Sequence, residues 1–72
     1  MVPLPRLRNL RQRRALTQAE LAQRAGVGQV TILRIELRQQ GARPSTVRKL
    51  AAALGITPEE LTADESEGNK AA

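Results

Sequence analysis

Residues 17–36 read TQAELAQRAGVGQVTILRIE. Thr17-Gln18-Ala19-Glu20 has the form of a capping box, in which the Thr17 hydroxyl accepts the backbone N–H of Glu20 and the Glu20 carboxylate accepts that of Thr17. A helix opens there and runs to about Arg24, with Leu21, Ala22 and Ala25 turned inward. Gly26 breaks the run, because glycine takes a positive φ at little cost. Gly28 then heads a further helix from Gln29 to about Leu37, with Ile32 and Ile35 on its inner side. The small residues of Ala25-Gly26-Val27-Gly28 let the two helices approach closely at a steep angle, with Val27 plugging the elbow.

Upstream, Leu4, Leu7 and Leu10 recur at threes among Arg6, Arg8, Arg11, Arg13 and Arg14. This spacing predicts an amphipathic helix starting near Pro3–Pro5 and stopping near Ala15–Leu16. Downstream, RQQGARP (38–44) has no apolar period and reads as a loop. Ser45 is the expected cap of a fourth helix, whose Val47, Leu50, Ala51 and Leu54 keep the i, i+3, i+4, i+7 spacing before Gly55 ends it. Thr57-Pro58-Glu59-Glu60 forms a second capping box that opens a short fifth helix anchored by Leu61. The prediction is one all-α domain of five short helices over residues 1–62, followed by a disordered acidic tail over 63–72.

Composition narrows the function. The 72 residues hold one domain, with no room for a cleft beside a core. Without Cys or His, the chain lacks thiolate metal sites, disulfides, the usual proton shuttle and the Ser-His or Cys-His pair. No catalysis, metal, cofactor or small-molecule ligand is therefore expected. Phe, Trp and Tyr are also absent, although single-strand and RNA binders commonly stack bases on such rings. A duplex reader has no need of them. Residues 1–54 carry eleven Arg or Lys against Glu20 and Glu36, a net of +9, and residues 55–72 carry a net of −4. A basic body with an acidic end fits a polyanion on one face, and it fits a solvated arginine-rich surface as well. No apolar run approaches the ~20 residues of a membrane span, and the amino end has no signal-peptide core, so a cytoplasmic protein is expected.

The chain resembles the Cro/C1-repressor type of helix-turn-helix family, found in phage repressors and small bacterial regulators. The resemblance runs from Leu7 to about Leu61. It rests on Leu7-Arg8…Leu10-Arg11, Leu16-Thr17-Gln18…Glu20-Leu21-Ala22 and Ala25-Gly26-Val27, then Thr31-Ile32…Arg34-Ile35-Glu36, Pro44-Ser45 and Val47-Arg48-Lys49-Leu50-Ala51…Leu54-Gly55-Ile56. It implies a lambda-repressor-like domain that binds double-stranded DNA through its second and third helices. Three positions depart from the family pattern. Gly28 stands where Ser or Thr usually caps the third helix, Ala15 where Gly is frequent, and Arg38 where Gly usually follows two residues after Glu36.

The resemblance and side-chain chemistry together suggest roles. Gln29, in the first turn of the third helix, can bond adenine N6 and N7, or serve only as a polar helix start. Val30 and Leu33 lie opposite Ile32 and Ile35 and are expected to be exposed. They suit thymine methyl groups, a partner surface, or neither. Arg34 on the same side suits guanine or a phosphate. Gln18 can reach a phosphate at the start of its helix, or be merely solvated. Thr31 can donate to phosphate or bond its own backbone. Arg38, Gln40 and Arg43, with the backbone N–H groups at Ser45, would complete a phosphate clamp unless they are simply exposed. Family precedent makes Arg11 and Glu36 a structural ion pair.

The expected mechanism is operator occupancy by a transcriptional regulator, most simply a repressor, bound as two copies to a pseudo-palindrome. Ile56 and Pro58 are candidates for self-association, having no evident core duty. Two alternatives remain open at this level: an antitoxin-type regulator, and a protein-interaction module docking through Val30, Leu33 and Leu37.

Overall fold

The computed structural model describes residues 1–63. Its helices are α1 (Leu7–Arg13), α2 (Gln18–Ala25), α3 (Gln29–Glu36), α4 (Pro44–Leu54) and α5 (Pro58–Thr62). The predicted all-α architecture of five helices is found among the described residues. Beyond Ala63, the expected acidic tail lies outside the described residues. No helix among the described residues is long and apolar enough to cross a membrane.

The core is wholly aliphatic. Leu7, Leu21, Ile32, Ile35, Leu50, Leu54 and Leu61 are its largest enclosed side chains, each worth about 1.5–3 kcal/mol relative to exposure. Helix α2 packs on both α3 and α4, α5 rests on α4, and α1 reaches α3. Val27 and Ile56 are half-buried against this core. Ile56 therefore has a packing duty that its position after α4 did not suggest.

Helix starts differ from expectation at three places. Helix α1 begins at Leu7, not near Pro3–Pro5, because each proline biases the residue before it toward extended backbone. Leu4 is buried nonetheless, and its carbonyl accepts the Leu7 N–H at 3.2 Å. Ser45 does not cap α4. Arg43 holds the cap position and Pro44 the first helical one, where its missing N–H costs nothing. The Thr57 box is half-formed. The Thr57 hydroxyl accepts the Glu60 N–H at 3.1 Å, but the Glu60 carboxylate faces that hydroxyl at 3.4 Å instead of the Thr57 N–H. At α2 the box is complete, with bonds of 2.9 and 3.0 Å.

The first four helices end alike. After each, one residue takes left-handed backbone, and two successive N–H groups fold back onto the last-turn carbonyls. After α1, Ala15 bonds Gln12 at 2.9 Å and Leu16 bonds Arg11 at 3.2 Å; after α3, Arg38 bonds Ile35 at 3.0 Å and Gln39 bonds Arg34 at 2.9 Å. Gly26 and Gly55 occupy the equivalent positions after α2 and α4, each with φ +70°. Ala15 (φ +55°) and Arg38 (φ +61°) adopt the same backbone without being glycine, a conformation that costs an L-residue roughly 1–2 kcal/mol.

The 38–44 loop is less irregular than its composition suggests. Val2 and Ala42 exchange two backbone hydrogen bonds of 2.8 Å each, an isolated antiparallel bridge that buries Ala42. Gly41 makes this possible, since a Cβ there would lie 2.7 Å from the Val2 carbonyl oxygen.

Candidate nucleic-acid interface

Helix α3 is gripped from one side. Ile32 and Ile35 are buried, whereas Gln29, Val30, Leu33, Arg34 and Leu37 are exposed. Exposure reaches 58% at Val30, 40% at Leu33 and 55% at Leu37. The outer surface of α3 therefore offers an amide, a guanidinium and three bare aliphatic groups, as the wheel of Ile32 and Ile35 requires. Gly28 heads the helix in extended backbone, with no side chain to satisfy the first-turn N–H groups.

The one carboxylate of α3 faces inward. Glu36 accepts Arg11 Nε at 2.6 Å through Oε2 and Arg11 Nη2 at 3.0 Å through Oε1. Arg11 also donates through Nη1 to the Leu16 carbonyl at 2.7 Å, which ties the pair to the turn after α1. The two side chains are only 11% and 3% exposed. The hydrogen bond to Glu36 holds the guanidinium pKa above its ordinary value, with burial opposing and charge attraction adding. Among the described residues no buried side-chain polar atom lacks a partner.

Gln18 belongs to this cluster too. Its Nε2 donates to Glu36 Oε1 at 3.0 Å, a contact that sequence reasoning missed, since it treated the side chain as facing a phosphate or solvent. The second amide hydrogen and the carbonyl oxygen remain, beside the open N–H groups of the first turn of α2. The signal was the 18-residue separation from Glu36, which no local pattern reveals.

The residues expected to clamp phosphate fall into two groups. Thr31, Gln40 and Arg43 line one recess, together with Thr46 of α4 and the amino-terminal Met1. Arg38 instead lines a second recess with Arg8, Asn9 and Gln12 of α1, next to Glu36. Thr46, Arg8, Asn9 and Gln12 were not singled out by sequence, because only the fold carries α1 and α4 to these loops. Ser45 is exposed in the first turn of α4, where backbone N–H groups have no helical acceptor. Exposed carboxylates among the described residues are Glu20, Glu59 and Glu60. Hydrogen bonds from the Thr17 backbone and hydroxyl hold the Glu20 carboxyl below the usual range, as does nearby Arg24.

A family model for helix-turn-helix domains matches residues 7–61, a segment that starts with α1 and ends within α5. Over 58 residues the chain is 43% identical to RghRB of Bacillus subtilis (strain 168), described as an uncharacterized HTH-type transcriptional regulator; the match covers 79% of this chain and 42% of that protein. The chain thus spans about two-fifths of the length of that relative. In three dimensions it is similar to the crystal structure of a hypothetical transcription factor, NHTF, from Neisseria. The TM-score is 0.85 at 27% identity, over 92% of this chain and 76% of the other.

Proposed function

The chain belongs to the Cro/C1-type helix-turn-helix family, and on that premise we propose that it binds double-stranded DNA as a transcription regulator, repressing by operator occupancy. One observation carries the reading. The outer side of α3 is exposed and cationic at Arg34, while Glu36, which would repel a phosphate, is drawn inside by Arg11 and Gln18. A single helix fits the major groove, where Gln29 pairs with adenine and Arg34 with guanine. Thr31, Gln40, Arg43 and the Ser45 backbone grip phosphates on one flank, and Arg38 on the other, with Gln18 using its remaining amide hydrogen.

A domain this small covers little DNA, so tight binding calls for two copies on half-sites about one helical turn apart. Exposed Pro58, at the start of α5, is available for the contact between them. The test is selection of bound sequences from a random duplex pool, followed by titration at low and moderate salt. The expected result is a two-fold symmetric motif and affinity that falls steeply with salt. Gln29→Ala should relax preference at one base pair, at about 1–3 kcal/mol. Duplex binding insensitive to both sequence and salt would rule this function out.

A further inference from the structure

Val30 and Leu33 stand bare on the outer side of α3, although the domain covers nearly all its other large aliphatic side chains. Val30 and Arg34 are one helical turn apart on that side, about 5–6 Å between Cβ atoms, and Leu33 stands beside Arg34. Helix α3 turns no carboxylate to that side, since Glu36 is held inward. Its polar and cationic neighbours, Gln29 and Arg34, fit the groove of a polyanion better than the apolar face of a protein.

The apolar group offered by base edges in a major groove is the pyrimidine 5-methyl of thymine, which 5-methylcytosine presents at the same place. The fork-shaped partner of a guanidinium there is guanine O6 and N7. Base pairs stack about 3.4 Å apart, so side chains one turn apart address neighbouring pairs rather than the same one. We infer that α3 reads a pyrimidine 5-methyl group next to a guanine. A thymine–guanine step and a methylated cytosine–guanine step are then both bound, and their unmethylated counterparts are bound less well. Cytosine methylation becomes a control on operator binding. This inference rests on the DNA-binding reading above.

The test uses the full chain and a duplex taken from the random-pool selection. Four versions are compared at the pyrimidine beside the guanine: thymine, uracil, 5-methylcytosine and cytosine. Thymine against uracil, and 5-methylcytosine against cytosine, each differ only by the methyl group. Each methylated member should bind about fourfold more tightly, the effect of covering one methyl group. Val30→Ala should bring both ratios close to one while leaving the salt dependence unchanged. Ratios near one for the wild-type chain, or a selected motif with no pyrimidine–guanine step, would overturn the inference and leave sequence-selective DNA binding intact. Failure of any duplex to bind in a salt-sensitive way would overturn both.

Discussion

Arg11 on α1 and Glu36 at the end of α3 meet in a two-pronged ion pair, 2.6 Å from Nε to Oε2. It joins the first helix to the helix that faces outward, across 25 residues of sequence. Breaking one side leaves the other charge enclosed. Arg11→Ala should therefore destabilise the domain by roughly 3 kcal/mol, a large share of what so small a chain holds in total. Replacing both residues, Arg11→Met with Glu36→Leu, should recover part of that loss, the Leu16 carbonyl and the Gln18 amide being left without their partners. Urea unfolding of the two variants checks this. A single mutant as stable as wild type would show that the pair does not anchor α3.

Ala15 and Arg38 hold left-handed backbone that glycine adopts freely. Ala15→Gly and Arg38→Gly should each raise stability by roughly 0.5–1 kcal/mol, the relief of strain exceeding the entropy that glycine adds to the unfolded chain. Melting temperature reads the gain. Arg38→Gly should at the same time weaken duplex binding and flatten its salt slope by about one unit, so the two effects of one substitution point in opposite directions.

Gly41 leaves no room for a side chain beneath Val2. Gly41→Ala should detach the amino-terminal residues and cost about 1–2 kcal/mol, the value of two backbone hydrogen bonds. Hydrogen exchange at the Ala42 amide is the direct measure. Protection lost there, with Leu50 in α4 still protected, is the expected pattern. Unchanged Ala42 protection would mean that the bridge does not depend on Gly41.

The Glu20 carboxyl has a lowered pKa in the folded chain, caused first by the Thr17 backbone N–H. In the unfolded chain the same carboxyl keeps the ordinary glutamate value. A depressed carboxyl contributes stability that is complete above the unfolded value and is lost as pH falls through the folded one. Part of the acid loss of stability should thus come from the opening of α2. Glu20→Gln should be less sensitive to acid over that range than wild type, by denaturant titration at several pH values. Parallel acid profiles for the two proteins would count against the capping role.

Much of the architecture was legible because it rests on local rules. The Thr17 box, the breaks at Gly26 and Gly55, and the spacing of Ile32 with Ile35 and of Val47 with Leu50, Ala51 and Leu54 each depend on neighbours within a few residues. The exposure of Val30 and Leu33 followed from the same helical period. The Ser45 cap failed at this local level, since Pro44 takes the first helical position without a preceding side-chain cap.

The order of five helices, the aliphatic core and the outward surface of α3 were determined by the amino-acid sequence alone, through periodicity and turn chemistry. Only the tertiary structure decided that Gln18 bonds Glu36, that Arg38 sits with α1 rather than with Gln40 and Arg43, and that Val2 pairs with Ala42. These contacts join residues 18 to 40 positions apart. They exist because packed helices bring distant backbone and side chains within hydrogen-bond reach, a proximity that no helical period encodes.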